Sequence, residues 1–123
     1  NMDNIQLTVM NAEEMNFPDN TFDCVTACYV VSAAPDPKKV VSEICRVCKP
    51  DGRIVFINHF KSQNFLLAKF EELINGACKK IGWETTLDLD PLLKSNNLTL
   101  VAQERVNVFN YWKAVLCINS KEE

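Results

Sequence analysis

Two groups of side chains in this sequence are of types that bind or react. His59 is the only histidine, and it follows an apolar run that predicts a strand over Arg53–Asn58. An imidazole with a near-neutral pKa at a strand end can accept a proton or position a phosphate. Cys45 and Cys48 have the spacing of a zinc-binding pair, but a structural zinc site needs four ligands and no second suitable pair is nearby. We therefore predict that the two cysteines pack in the core and that no metal is bound.

The distribution of glycine argues against a phosphate-cradling loop within this chain. There are three glycines, Gly52, Gly76 and Gly82, which lie at a predicted turn, inside a predicted helix and at the end of that helix. A loop that lets the backbone approach a dinucleotide needs several glycines within a few residues, after a strand and before a helix. The acidic residue that would follow about 20 positions later to hold the ribose is also missing.

Length and composition set limits on the class of protein. With 123 residues, of which 47% are apolar, the chain forms one globular domain at most. A net charge of −3 argues against a nucleic-acid partner, which would require a clustered basic face. No apolar run approaches the roughly 18 residues of a spanning helix, and no charged-then-apolar leader is present, so the protein is predicted to be soluble. A reducing cytoplasm is predicted because most cysteines lie in predicted elements beside apolar residues, namely Cys24, Cys28, Cys45, Cys48 and Cys117.

The pattern of apolar residues predicts strands and helices in alternation. Ile5–Val9 alternates apolar and polar residues, which is typical of a strand. The polar turn Pro18–Asn20 leads into a nearly continuous apolar run over Phe22–Val31, which predicts a central, buried strand. Asp36 and Pro37 then favour a helix start, as cap and first helical residue. The buried face of this helix is predicted to contain Val40, Val41, Ile44, Val47 and Cys48, and Pro50–Gly52 should turn the chain into the strand Arg53–Asn58.

The second half of the chain predicts two helices and a final pair of strands. A helix that ends at Gly82 should pack on the sheet through an apolar stripe of Leu66, Phe70, Leu73, Ile74, Ala77 and Ile81. A short helix near Leu89–Lys94 follows, and then strands over Leu98–Val106 and Trp112–Asn119. Because these two strands are so close in sequence, we expect them to be antiparallel. The order of elements is that of an α/β fold with an antiparallel finish.

Three segments of the sequence resemble class I S-adenosylmethionine-dependent methyltransferases. The resemblance covers roughly residues 5–119 but only the second half of that family's domain, so residues 1–123 are interpreted as its C-terminal part. It implies a partial Rossmann-like sheet, mostly parallel with an antiparallel last strand, from which the first strands and the Gly-rich loop are missing. Two of the segments are similar in particular to bacterial phosphatidylethanolamine N-methyltransferases. The three segments are NAEEMNFPDNTFD (residues 11–23), YVVSAAPDP (29–37) and KPDGRIVFINHF (49–60).

The resemblance implies where a cofactor and a substrate would bind. In the family, the loop after the third strand holds adenine, which here corresponds to Asn11, Ala12 and Glu13. The end of the fourth strand contacts the methionine part and the acceptor, and corresponds to Cys28, Tyr29 and Val30. The implied catalytic residues are Tyr29, through its ring face or hydroxyl, and His59. The implied cofactor is S-adenosylmethionine and the implied acceptor an amine, such as a phospholipid headgroup, with peripheral membrane contact.

Two other interpretations of function remain open at this point. In one, the chain belongs to a methyltransferase for another small molecule, such as a quinone or sterol. In the other, it is a binding module that has lost the cofactor. The family's missing strands would leave Phe22–Val31 as an exposed apolar edge. We predict that this edge is covered by a second copy of the chain, by a rearranged Ile5–Val9 strand, or by a missing segment that precedes Asn1.

Overall fold

In the part of the chain that the structure describes, seven elements form a mixed α/β fold around a four-stranded sheet. The computed structural model describes residues 4–59, 65–80, 87–106 and 112–122. The strands lie in the order β1-β2-β4-β3, with β1 parallel to β2 and both other pairs antiparallel. The predicted α/β fold and the antiparallel insertion of the last strand are therefore confirmed. The elements are β1 (Phe22–Cys28), α1 (Pro37–Val47), β2 (Cys48–His59), α2 (Phe65–Lys80), α3 (Leu89–Ser95), β3 (Leu98–Arg105) and β4 (Trp112–Asn119).

Helix α1 begins and packs as its sequence predicts. The Asp36 side chain accepts hydrogen bonds from the backbone N–H groups of Lys38 and Lys39, at 3.1 and 3.3 Å. Pro37 occupies the first turn, where a missing N–H costs nothing. The predicted apolar face is fully buried and forms the centre of the core, through Val40, Val41, Ile44, Val47 and Cys48.

The chain passes from α1 into β2 through an irregular segment rather than a separate turn. β2 already begins at Cys48, five residues before the predicted start, and its register with β1 shifts between Phe22 and Cys24. Asp51 has a left-handed backbone with φ of 60°. A Cβ atom on Gly52 would lie 2.8 Å from the carbonyl oxygen of Lys49, so only glycine fits there. The predicted turn is thus an irregularity within the strand.

The sheet has two faces of different burial. The inner face carries Ile54 and Phe56 of β2 beside Val115 and Cys117 of β4, and it packs against α1 and α3. The outer face carries the alternate residues, among them Val55, Ile57 and Leu116, which are only half-buried. The predicted pair of terminal strands and the short helix α3 complete the inner layer, where Leu92, Leu93 and Leu98 are buried.

The prediction of a strand over Ile5–Val9 is wrong. The segment has no strand structure, and its apolar side chains Ile5, Leu7 and Val9 are exposed. Alternation favours a strand only where a neighbouring strand supplies hydrogen bonds, and β1 pairs with β2 alone among the described strands. A rearranged Ile5–Val9 strand therefore does not cover the edge of β1.

The extent and burial of β1 also differ from the prediction. The strand ends at Cys28 instead of Val31, because the next residue, Tyr29, adopts a left-handed backbone. Cys24 and Cys28 are exposed on the outer face, whereas the sequence predicted that both pack as apolar residues. As an edge strand, β1 buries only Ala27 fully. The other predicted core cysteines, Cys45, Cys48 and Cys117, are buried.

Helix α2 forms where predicted, but three residues of its apolar stripe are exposed. Leu66, Phe70 and Leu73 are exposed, so the predicted packing of this stripe on the sheet is wrong for these three residues. Helical spacing shows that a face needs a partner, not which surface covers it. Ile81, the last predicted member of the stripe, and Gly82, the predicted end of the helix, lie outside the described residues. No helix in the described part of the chain has the length and apolar character needed to cross a membrane.

Candidate functional site

The carboxyl end of β1 presents one aromatic side chain to solvent. Tyr29 is 55% exposed, and its backbone N–H donates to the Ile57 carbonyl oxygen at 2.8 Å. Its φ is 61°, in the left-handed region that bulky L-residues rarely adopt and that costs about 1 to 2 kcal/mol. An exposed ring on a strained backbone adds little to the core. Such strain is typical of functional sites.

Trp112, the first residue of β4, positions the Tyr29 ring. The two ring centroids are 5.0 Å apart and the ring planes meet at 88°, an edge-to-face contact. β2 lies between the two strands, so the Tyr29 ring reaches across the end of β2. The left-handed backbone breaks the alternation of β1 at the residue that makes this contact. We call Tyr29 and Trp112 together the aromatic corner.

His59 lies behind the aromatic corner. It pairs with Trp112 in the sheet register, and the two rings are 6.0 Å apart in an edge-to-face arrangement. The side chain is only 6% exposed, and its Nδ1 atom is shielded from solvent. The His59 side chain therefore packs against Trp112 and is almost entirely shielded from bulk solvent.

A buried hydrogen-bond chain connects the two strand ends. Ser32 Oγ donates to Asn58 Oδ1 at 3.2 Å, and Asn58 Nδ2 donates to the His59 carbonyl oxygen at 3.0 Å. Both Ser32 and Asn58 are buried. Because buried polar groups are costly to leave unpaired, this chain fixes the loop after β1 relative to the end of β2.

The predicted adenine-binding turn is held near the same edge of the sheet. Asn11 Oδ1 accepts from the Glu13 backbone N–H at 3.0 Å, and Glu13 Oε1 accepts from the Asp36 N–H at 2.7 Å. Ala12 packs against the core. Asp36 begins α1, which follows the loop at the carboxyl end of β1. The side-chain oxygens of Asn11 and Glu13 therefore have structural partners of their own.

An ion-pair cluster holds the rest of this loop against α1. Arg46 donates from Nε and Nη2 to the two carboxylate oxygens of Glu43, at 2.7 and 2.9 Å, and from Nη1 to Asp19 Oδ1 at 2.7 Å. The same guanidinium also donates to the carbonyl oxygens of Met15 and Phe17. The hydrogen bond from Arg46 lowers the pKa of the Glu43 carboxyl below its usual 4.5. The pKa of Arg46 is raised mainly by its hydrogen bond to Glu43.

The structure brings together part of the predicted site. Tyr29 and His59 both contact Trp112, while Cys28 and Val30 flank Tyr29 as exposed residues. Asn11, Ala12 and Glu13 join the same end of the sheet through Asp36. Sequence reasoning missed Trp112, Ser32 and Asn58. The alternation of β4 and the position of Trp112 at its first residue were visible in the sequence, but the pairing with His59 depends on the order of strands.

Comparisons with known proteins show what this chain is similar to. A family model described as a methyltransferase domain matches residues 1–56. Phosphatidylethanolamine N-methyltransferase of Cereibacter sphaeroides is 37% identical over 98 residues, which cover 80% of this chain and 48% of that protein. Both matches are to methyltransferases.

Other methyltransferases match over shorter stretches or in fold alone. The ubiquinone/menaquinone biosynthesis C-methyltransferase UbiE of Teredinibacter turnerae is 37% identical over 70 residues, 57% of this chain and 28% of that protein. The crystal structure of YcgJ from Bacillus subtilis has a TM-score of 0.68 at 18% identity, covering 92% of this chain and 70% of YcgJ. The chain thus spans about half the length of the first relative and about a quarter of the second.

The residues present suit one end of S-adenosylmethionine better than the other. An exposed aromatic ring at a strand end is suited to bind a methylated cation, and the sulfonium end of S-adenosylmethionine is such a cation. In the turn at Asn11–Glu13, the side-chain oxygens and the Glu13 backbone N–H are already hydrogen-bonded, so only the remaining backbone groups would be available to an adenine. The residues that would hold the cofactor are therefore Tyr29 and Val30 at its sulfonium end and residues 11–13 at its adenine end.

Proposed function

We propose that this chain is part of an enzyme that transfers a methyl group from S-adenosylmethionine to an amine, with the headgroup of phosphatidylethanolamine as acceptor. The observation that carries the proposal is the exposed, strained Tyr29 held against Trp112 at the carboxyl end of β1. The acceptor class is supported by 37% identity to a phosphatidylethanolamine N-methyltransferase.

The chemistry demands little acid–base machinery from the protein. S-adenosylmethionine, when bound, supplies an activated methyl group on a sulfonium. The protein must align the acceptor amine and exclude water. In our proposal, Tyr29 contacts the methylated cation with its ring and the acceptor amine with its hydroxyl. The Asn11–Glu13 turn borders the adenine, with Cys28 and Val30 beside Tyr29.

His59 has a supporting role in this proposal. Its side chain is 6% exposed, which favours contact with Trp112 over direct contact with a phospholipid. An imidazole behind the ring can take up the proton that a protonated amine must lose before it attacks the methyl group. Its part as a proton acceptor is tested by a pH profile of the His59→Gln variant.

The proposed activity is tested by a transfer assay with the complete gene product. Tritium-labelled S-adenosylmethionine is incubated with vesicles of phosphatidylethanolamine, with a demethylated quinol, and without acceptor. Label in the phospholipid above the background without acceptor supports the proposal. Label only in the quinol would contradict phosphatidylethanolamine as the acceptor and identify a quinol instead. The similarity to UbiE is the reason for testing this alternative.

Calorimetry separates an enzyme from a module without cofactor. S-adenosylmethionine and S-adenosylhomocysteine are titrated separately into the 123-residue chain, after circular dichroism has shown it to be folded. Binding in the micromolar range typical of small-molecule sites supports a cofactor pocket within this chain. Absence of heat for both compounds, together with no transfer by the complete gene product, contradicts the proposal.

A further inference from the structure

The aromatic corner has the shape of a partial cage. The Tyr29 and Trp112 rings are nearly perpendicular, at 88°, and their centroids are 5.0 Å apart. Perpendicular rings form two adjoining walls, so a compact group lying in the angle between them can contact both side chains. Tyr29 is the exposed member, and Trp112 is partly buried at the start of β4. The corner is therefore open on the side of Tyr29.

Core packing alone does not account for the Tyr29 side chain. A tyrosine that served the core would be buried, yet this ring is 55% exposed. It also has a φ of 61°, a conformation that persists only where the surroundings impose it. The Ile57 hydrogen bond and the Trp112 contact are the constraints that impose it. The structure thus holds an aromatic ring at the surface against its backbone preference.

We infer that Tyr29 and Trp112 form the two walls of a subsite for a methylated onium group. Such a cation is weakly hydrated, and ring faces attract it through their quadrupoles, most strongly for tryptophan. Two sources share this chemistry, the sulfonium of S-adenosylmethionine and a methylated ammonium on the acceptor or product. The identity of these sources rests on the proposed function, but the recognition of an onium group does not. Trp112 is the new member of the site.

Paired probes, each pair with one charged and one neutral member, test the inference. Choline is compared with 3,3-dimethylbutanol, which has the same shape without the charge, and S-adenosylmethionine with S-adenosylhomocysteine. Binding to the full chain is followed by calorimetry and by the NMR signal of the Trp112 indole N–H. We expect the charged member of at least one pair to bind more tightly and to shift that signal.

Ring-deleting and ring-keeping variants show whether the corner is responsible. In Trp112→Leu and Tyr29→Leu, binding of the charged probe should weaken by about 3- to 30-fold, as expected for one cation–π contact. Binding of the neutral probe should change little. Trp112→Phe and Tyr29→Phe should keep most of the preference for charge. Phe70→Leu, which removes an exposed ring from α2, is the matched control and should have no effect.

Each outcome decides the inference. Equal binding of both members in both pairs overturns it, as does a charge preference that survives both leucine substitutions. If the leucine variants do not fold, the phenylalanine variants decide. Trp112→Phe keeps most of the preference for charge, but it must still lower that preference by more than the control Phe70→Leu does. A preference confined to the adenosyl pair assigns the corner to the sulfonium, and one confined to choline assigns it to the ammonium.

The outcome is also independent of the transfer assay. Charge preference at the corner without methyl transfer supports the subsite and contradicts the proposed function. Methyl transfer without charge preference supports the function and removes the subsite.

Discussion

At the scale of single residues, Tyr29 shows how a site conflicts with local backbone preference. Its φ of 61° suits glycine, whereas the sequence places there the largest side chain of the loop. The sequence predicted Tyr29 as a site residue through family resemblance, but nothing in the residue types predicted the left-handed backbone. That conformation depends on the Ile57 carbonyl and on Trp112, which come from other strands.

The strain at Tyr29 predicts an inverted order of stability for two truncations. Tyr29→Gly should be more stable than Tyr29→Ala by about 1 kcal/mol, because alanine keeps the left-handed penalty and glycine does not. The matched pair is Val30→Gly and Val30→Ala, where the backbone is ordinary and alanine should be the more stable. Urea unfolding of the four variants measures both differences. The same order at both positions would contradict the strain.

Arg46 and Glu43 predict a specific response of stability to acid. The pKa of the folded Glu43 carboxyl lies below its usual 4.5, so the unfolded chain binds a proton at this group more readily than the folded chain. The stabilisation is therefore complete above pH 4.5 and is lost as pH falls through the folded pKa. We expect Glu43→Gln to reduce the slope of unfolding free energy against pH between about pH 5 and pH 3.

The control for this acid response is Glu14→Gln, which removes the same charge from an exposed position on the same loop. Its slope should stay close to that of the unsubstituted chain. Urea unfolding at a series of pH values gives both slopes. If the two glutamine variants have equal slopes, the ion pair with Arg46 does not stabilise the loop.

At the scale of elements, the sequence predicted those that carry their own signals. Asp36 and Pro37 predict the start of α1, and the apolar spacing after them predicts its buried face. The strands β3 and β4 also form close to their predicted bounds. The failures share one physical cause. Ile5–Val9 and the stripe of α2 have the patterns of packed elements, but a pattern does not supply the neighbouring surface.

The end of β4 and the end of α1 are joined by one buried side chain. Asn119 Nδ2 donates to the carbonyl oxygens of Cys45 and Cys48, at 2.9 and 3.0 Å, and Asn119 is fully buried. Lys121 Nζ also lies 2.9 Å from the Arg46 carbonyl oxygen, where a cation favours the helix dipole. These contacts link residues more than 70 positions apart in the chain.

Loss of the Asn119 amide should destabilise the fold strongly. We expect Asn119→Ala to reduce the unfolding free energy by about 2 to 4 kcal/mol, because buried carbonyl oxygens lose their donor. Asn119→Asp should cost at least as much, since a carboxylate would face the same oxygens. Ser120→Ala, next in sequence but exposed, should change stability by less than about 0.5 kcal/mol. Chemical denaturation measures all three, and a small effect of Asn119→Ala would show that the link is dispensable.

The two faces of the sheet predict two classes of cysteine. Burial raises the pKa of the Cys45 thiol to about 12 and that of Cys117 to about 11, whereas Cys24 and Cys28 are exposed on the outer face. Because the thiolate is the reactive form, iodoacetamide at mildly alkaline pH should modify Cys24 and Cys28 before Cys45 and Cys117. Mass spectrometry of tryptic peptides measures the order. Labelling in urea should abolish the difference, and equal rates in the folded chain would contradict the observed burial.

At the scale of the whole molecule, the sequence predicted the ends of strands better than the residues that meet there. Tyr29 and His59 were expected near the ends of β1 and β2 and lie there, although β1 ends three residues earlier than predicted. Trp112 was not identified, since its approach to both depends on β4 lying between β2 and β3. That order is a property of the assembled sheet. Tyr29 and His59 can therefore be predicted from their own segments of sequence, whereas the contact of both with Trp112 can be predicted only from the order of the strands.

The edge of β1 predicts self-association of this chain. Within the described part of the chain, β1 pairs on one side only, and the outer face beside it exposes Cys24, Thr26 and Cys28. An unpaired strand edge beside half-buried apolar side chains such as Val55 is a template for pairing with a second copy. We expect the sedimentation coefficient of the 123-residue chain to rise with concentration over the micromolar range.

A charge placed on one edge of the sheet should distinguish this interface from others. Thr26→Lys puts an ammonium group on β1, which should disfavour edge pairing and keep the chain monomeric at concentrations where the unsubstituted chain associates. Thr99→Lys is the matched control, because it makes the same change at an exposed position on β3, at the other side of the sheet. Its association should be unchanged. If Thr99→Lys alone blocks association, the copies meet through β3, and if neither substitution does, the interface lies away from both strands. Either result would leave the edge of β1 uncovered by a second copy.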